Sequence, residues 1–479
     1  FFVYQGFNRH VGWMHTSSGV DNIDEFTLTV EQRGGKFHYL HGGTWKPLKE
    51  KTIRVPYRAA DGTMQARSFT TWRSHHGPVI RAEEGKWIAI SLMHRPVAAL
   101  EQSFLRTKTT DLASYLKVAS RRANSSNATL FASSKGEIAY LHPQFVPIRD
   151  NRFDWRRPVD GSDPATDWKG EHSLDQLPSV MNPKSGFAFN TNNWPWTAAG
   201  PDSPKQADYP RYMDNAGENP RGPNALRLLS GNRRFDLDSL TEAAYDPFLQ
   251  GFADTIPGLV KAWEALPAGA GKDRLAAPVS VLKGWDFKTD ELSVATSLAV
   301  FWGEEMVKRH GAAARAAMTG LTPYLASDKV PDADRLAALD AAITRLASDF
   351  GGWDVPWGHI NRFQRLTGNV NQVYDDRQPS TAIGFASGNW GSLASFGSRP
   401  RDGTKRWYGD YGNSFVAVVR FGRQGPEARA VHAGGLNSNP ASPHFRDQAE
   451  RYRTHDFRPV YFTDAQLKGH TEKTYRPGE

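Results

Sequence analysis

Residues 1–30 read FFVYQGFNRHVGWMHTSSGVDNIDEFTLTV, and the alternation inside this stretch decides the fold class. Val11, Trp13 and His15 fall on one face of an extended segment, because successive side chains of a strand point to opposite sides. The run Ser17, Ser18, Gly19 marks a turn, and FTLTV at 26–30 reads as the next strand. Position 1 is Phe, and no basic segment, apolar segment and small-residue cleavage site precede this pattern. The chain is therefore expected to be a processed product or a piece of a longer one.

Outward from there, GGKFHYL at 34–40 and TIRVPYRAADGTMQARSFTTW at 52–72 continue the strand pattern, with Asp61-Gly62 as a hairpin signal. TDLASYLKVASR at 110–121 has helical spacing, and residues 129–148 read as two strands joined at Lys135-Gly136. Residues 150–225 are dominated by Pro, Gly, Asn, Asp and Trp, the composition of long functional loops. From 236 to 350 the pattern turns helical, as in Leu336, Leu339, Ile343, Leu346 and Phe350 after a candidate cap at Asp332. Strands return in NSFVAVVRFG (413–422) and ARAVHAGG (428–435). This order predicts one α+β unit over 1–479, divided into 1–235, a mostly helical 236–350 and closing strands at 351–479, with its sheet completed by both ends of the chain.

Composition narrows the function classes. The net charge of +8 over 479 residues is a mild excess without a polybasic run, which argues against nucleic acid as a partner. No window reaches the 18 or more consecutive apolar residues of a spanning helix, so no membrane span is expected. With no Cys, disulfides, thiol catalysis and Cys-ligated zinc are excluded.

Several local patterns are candidates for chemistry. PAGAGKDR at 267–274 imitates a phosphate loop, but Asp273 stands where Ser or Thr is required. His75 and His76, read as strand neighbours, point to opposite faces and are not expected to share a metal. Asp21, Asn22, Asp24 and Glu25 are hard oxygen donors suited to calcium or to a capped turn. Asn190, Asn192 and Asn193 lie among aromatics in a Pro-containing loop, where an amide can stabilise an oxyanion or merely satisfy loop backbone.

The segments GFNRHVGWMHTSS, HHGPVI, KGEIAYLHPQFVP, FNTNNWPW, ENPRGPNALRLLSG, GPEARAVHAGG and ASPHFRDQ occur in that order along nearly the whole chain. Together they resemble the β-chain of the penicillin acylase family of N-terminal nucleophile hydrolases, especially its acyl-homoserine-lactone and aculeacin acylase branch. The resemblance implies a four-layer αββα sandwich and a precursor that cuts itself. A new N-terminal Ser then attacks an amide carbonyl with its own α-amine as base. Carried over, the backbone donor to the oxyanion falls on Ser17, four residues after Trp13, its side-chain donor on Asn192 and the supporting Arg on Arg221. The family's calcium ligands fall on Asp21, the Ile23 carbonyl and Asp24, with Asp202 as a fourth; no organic cofactor is implied. The nucleophile would lie on the order of fifty residues before Phe1, so the fold is expected to be incomplete at its N-terminus. The piece by itself is expected to be inactive and poorly soluble. Its implied partners are a missing α-chain and the first β-chain segment, and its implied location is the periplasm or outside the cell.

Two functional readings follow. In the first, the parent hydrolyses an N-acyl amide (an acyl-homoserine lactone, a β-lactam antibiotic or a lipopeptide) and is relevant to quorum quenching. Ser126 and Asn127, standing about where the long-chain branch carries a large aromatic, imply a shorter or more polar acyl group. In the second, a non-catalytic protein on the same scaffold binds a ligand with its Trp-rich 150–200 loops.

Overall fold

The alternation at 11–17 is realised as a strand, Val11–Ser17, with Val11, Trp13 and His15 buried and Met14 and Ser17 exposed. It pairs antiparallel along its whole length with Asn127–Ser133, Ser17 opposite Asn127 and Trp13 opposite Phe131. Gly6–Phe7, Ile138–Leu141 and Val180–Met181 complete this five-stranded sheet. The helix Leu112–Ala119 covers it: Asp111 accepts from the Ser114 amide in a capping box, worth about 1 kcal/mol. Its Leu112, Tyr115 and Ala119 pack on Val11, Trp13 and Phe131. The computed structural model describes residues 3–124, 126–231, 234–476 and 478; Phe1 lies outside them.

The chain divides into two compact units, Phe1–Ala216 and Gly217–Glu479. In the first, Asp24–Leu28 sits in a four-stranded sheet with Val159–Asp160, Lys86–Ser91 and Val79–Glu83. Phe26, Leu28, Tyr39, Trp155 and Met213 form its core. Lys49–Arg58 and Met64–Arg73 form the expected hairpin, with Gly62 at φ 84° and the Thr63 amide bonded to Asp61. In the second unit Gln250–Glu264, Ala270–Lys283, Val294–Ala316 and Asp332–Phe350 enclose a core that includes Phe252, Trp302, Leu339 and Leu346.

Three expectations change. The five-stranded sheet draws on residues 6–181 and the sheets of the second unit on residues 361–459, so the described strands do not form one sheet closed by both chain ends. Asp332 is the first helical residue, with Pro331 at the cap position. His75 and His76 lie in a bend after Met64–Arg73, where strand alternation does not apply, and their ring centroids are 3.8 Å apart. Gly77, at φ 145°, makes that bend possible. Among the described residues no helix is long and apolar enough to cross a membrane.

Candidate active site

Ser17 is the last residue of its strand, and the turn beyond it is held tightly. A Cβ on Gly19 would collide with the Ala216 backbone, and the Gly19 carbonyl accepts from Asn215 at 2.6 Å. The loop carrying the three asparagines comes to this strand end. Asn192 has a left-handed backbone, φ 62°, which Asn tolerates better than most residues. Its Nδ2 donates to Thr16 Oγ1 at 3.1 Å and to the Ser17 carbonyl at 3.3 Å. Asn190 Oδ1 accepts from Thr16 Oγ1 at 2.6 Å and from the Asn192 amide at 2.7 Å. Buried Asn193 holds the Thr191 amide at 3.0 Å and donates to Thr197 at 3.0 Å. Two of the asparagines thus shape the loop and the third, exposed, presents its amide beside exposed Ser17.

Arg221 belongs to the second unit, at the first position of the helix Arg221–Leu229. Its amide is capped by Asn219 Oδ1 at 3.1 Å, and its side chain lies so close to Gly388 that a Cβ there would meet Arg221 Cδ at 3.0 Å. Burial pushes the guanidinium below its ordinary value. That unit also contains a cleft of about 890 Å³ lined in part by Arg365, Tyr374, Arg401, Asp410 and His432. None of Ser17, Asn192 and Arg221 lines it.

The expected calcium ligands meet a cation of the chain itself. Arg149 Nη1 donates to Asp24 Oδ1 at 2.6 Å and lies 3.5 Å from Asp21 Oδ1, and Arg149 Nη2 donates to the Asp21 carbonyl at 2.5 Å. Trp168 Nε1 takes the other Asp24 oxygen at 2.5 Å. The guanidinium also lies over Tyr212, 4.4 Å from the ring centroid. Burial pushes the Asp24 carboxyl up to about 6 against the pull of Arg149, and it raises Asp21 as well. The Ile23 side chain is exposed; Asp202 accepts from the Ser185 amide at 2.6 Å. Among the described residues Asp202 does not join Asp21 and Asp24 in a convergent set of side-chain donors. Calcium needs six to eight oxygens, whereas here the Asp24 oxygens are committed to N–H donors and a fixed positive charge stands between the carboxylates. The residues present therefore do not fit the ion. Reading the sequence missed Arg149, although a single Arg ending the apolar run FVPIR at 145–149 was the available signal.

A family model described as Penicillin amidase matches residues 1–469. An acyl-homoserine lactone acylase PvdQ of Pseudomonas fluorescens is 27% identical over 97% of this chain and 62% of its own length. Its counterpart in Pseudomonas putida is 27% identical over 98% and 62%. A penicillin G acylase of Escherichia coli is 30% identical over 43% of this chain and 23% of its own. The chain thus spans about three fifths of the length of the PvdQ relatives. The solved structure of a thermostable penicillin G acylase from Alcaligenes faecalis superposes with a TM-score of 0.69 at 19% identity, over 99% of this chain and 89% of that one. This likeness bears out the α+β fold that the resemblance implies. Several sheets and a large set of helices, matched to one family model along almost the whole chain, place this protein in the penicillin amidase family.

Proposed function

We propose that the whole protein hydrolyses the amide bond of an N-acyl substrate through an acyl-enzyme on an N-terminal Ser. Asn192 Nδ2 and the Ser17 backbone N–H would stabilise the oxyanion. The observation that carries this reading is the exposed Asn192 amide held beside Ser17 by a loop whose other asparagines are spent on its shape. A preorganised amide of this kind stabilises charge as it develops, without reorganisation at the moment of reaction. The 3.3 Å contact to the Ser17 carbonyl is the weaker of its two and the one a reacting oxygen would replace. A supporting role for Arg221 is proposed from the family resemblance alone.

The nucleophile would belong to a segment preceding Phe1, released by self-cleavage of a precursor exported to the periplasm or beyond. Acyl-homoserine lactones lead the candidate substrates because the relatives matched over nearly the whole chain carry that name. A shorter or more polar acyl chain is proposed from Ser126 and Asn127; best turnover of chains of twelve or more carbons would overturn that part. The central test is Asn192→Ala in the full-length protein. The expected result is a loss in kcat of about 10²–10³ with KM little changed and with unaltered self-cleavage. An unchanged kcat would remove Asn192 from the oxyanion site.

A further inference from the structure

Four residues from three separate segments of the first unit converge: His41, the adjacent pair His75 and His76, and Asp167, each offering a ligand atom within 4.8 Å of all the others. His41 ends the strand Lys36–His41, the histidine pair occupies the bend before Gly77, and Asp167 follows the short turn Pro164–Thr166. His41 and His76 are buried, while the His75 and Asp167 side chains are 35% and 36% exposed. The group is thus closed on its inner side and open to solvent on the other.

The hydrogen bonds fix which ring nitrogens face inward. His41 Nδ1 lies 3.0 Å from the Gly161 carbonyl, and His76 Nε2 lies 3.1 Å from the same oxygen. A carbonyl only accepts, so both rings donate there, and in the neutral rings His41 Nε2 and His76 Nδ1 are left as lone pairs. Those nitrogens face the Asp167 carboxylate, 3.3 Å from Oδ2 and 3.9 Å from Oδ1. The third ring, His75, has Nε2 3.0 Å from Asp167 Oδ1 and Nδ1 2.8 Å from the Tyr39 hydroxyl, which can donate or accept and so serves either tautomer. A Cβ at position 161 would approach His76 Nε2 to 3.1 Å and Leu28 Cδ2 to 3.0 Å, so Gly161 is what lets its carbonyl come this close. The His76 ring is further locked by stacking on Phe26, with centroids 3.9 Å apart.

Lone pairs directed at a carboxylate repel it unless a positive charge lies among them. We propose that His41, His75, His76 and Asp167 form a binding site for a zinc-class divalent metal ion. Three imidazoles and one carboxylate are a donor set for Zn²⁺ and its neighbours in the transition series. Each ring holds its remaining nitrogen against a polar partner, the arrangement that orients histidine ligands. Tetrahedral ligands at bonds of about 2.0–2.1 Å lie about 3.4 Å apart, so the cluster needs only a modest contraction to close. With four protein ligands the ion would be structural, tying three separate segments of the chain together.

The test uses the untagged full-length protein, stripped with a chelator and titrated with Zn²⁺ by calorimetry and with Co²⁺ by visible absorption. The expected result is one equivalent bound with micromolar or tighter affinity, intense tetrahedral Co²⁺ bands, and a rise in melting temperature with zinc. His75→Ala and Asp167→Asn, at the open side where folding is least at risk, should each weaken binding by about 10–100-fold; His444→Ala, outside the cluster, should not. The proposal is overturned by no uptake at 100-fold excess metal, taken as about 100 μM in this assay. Binding that both cluster variants leave intact would overturn it too. So would long-range ¹⁵N spectra showing His41 or His76 as an imidazolium that zinc leaves unchanged, which would make a proton the missing charge.

Discussion

Around Asp24, two carboxylates and a guanidinium sit in the interior of the first unit; around Asp167, one carboxylate faces three imidazoles in the same unit. The first cluster brings its cation on the side chain of Arg149, which donates to both acidic residues and has its whole side chain buried. The second presents inward lone pairs, and its positive charge has to arrive as a proton or an ion. An internal cation is bound with no dependence on concentration, at the cost of desolvating a guanidinium. An imported one can be removed, so the same local stability becomes conditional on supply.

The largest effect that bears on this contrast is expected from Arg149→Met. Removing the guanidinium leaves buried Asp24 without its counter-charge, and about 3–5 kcal/mol of folding stability should be lost, read as a drop in the denaturant midpoint. A loss below about 1 kcal/mol would mean that Arg149 is not the charge that holds the cluster.

Next comes a pH dependence at a third buried node. His15 lies between Thr129, 2.9 Å from its Nδ1, and Arg106, whose guanidinium donates to Nε2. Burial first and Arg106 second push this imidazole down to about 3. A histidine whose folded value is depressed stays neutral in the folded protein while the unfolded chain protonates near 6.5. Its stabilisation is thus complete above about 6.5 and is lost progressively as pH falls toward 3. At pH 4 the cost relative to pH 7 should be roughly 3 kcal/mol, and His15→Gln, which can accept from Arg106 and donate to Thr129, should flatten that part of the pH–stability curve. An unchanged slope in the variant would contradict the neutral buried ring.

Smaller again is the effect of zinc on the histidine cluster. At 100 times the dissociation constant, a ligand bound only by the folded state adds about 2.7 kcal/mol, visible as a raised melting temperature that His75→Ala reduces. Smallest is calcium: because Arg149 occupies the place of the dication, millimolar Ca²⁺ or its removal by a calcium chelator should leave the melting temperature unchanged. A shift of several degrees would return Asp21 and Asp24 to the metal ligands.

Much of the local architecture was legible. The alternation of Val11, Trp13 and His15 became a strand with that face buried, Asp61-Gly62 became a hairpin turn, and the helical spacing at 110–121 became the helix that covers the first sheet. The resemblance brought Ser17 and Asn192 into view together, and the structure sets the Asn192 amide against the Ser17 carbonyl. Legibility failed where period-two reasoning was extended past the end of a strand. His75 and His76 are sequence neighbours whose rings turn to one site only because the chain bends at Gly77. It failed again where the partner was remote, since nothing next to Asp24 announces Arg149, 125 residues on.

The sequence by itself determined the main strand and helix segments, the hairpin turn at Asp61-Gly62 and membership in a family, because periodicity and backbone preference act over a few residues and the family motifs keep their order. Only the tertiary structure decided which charges share a buried site. Whether Asp24 meets a metal or an arginine, and whether three histidines meet one aspartate, depends on segments distant in the sequence brought within a few ångströms. There the loss of water makes every unpaired charge or lone pair costly enough to select its partner.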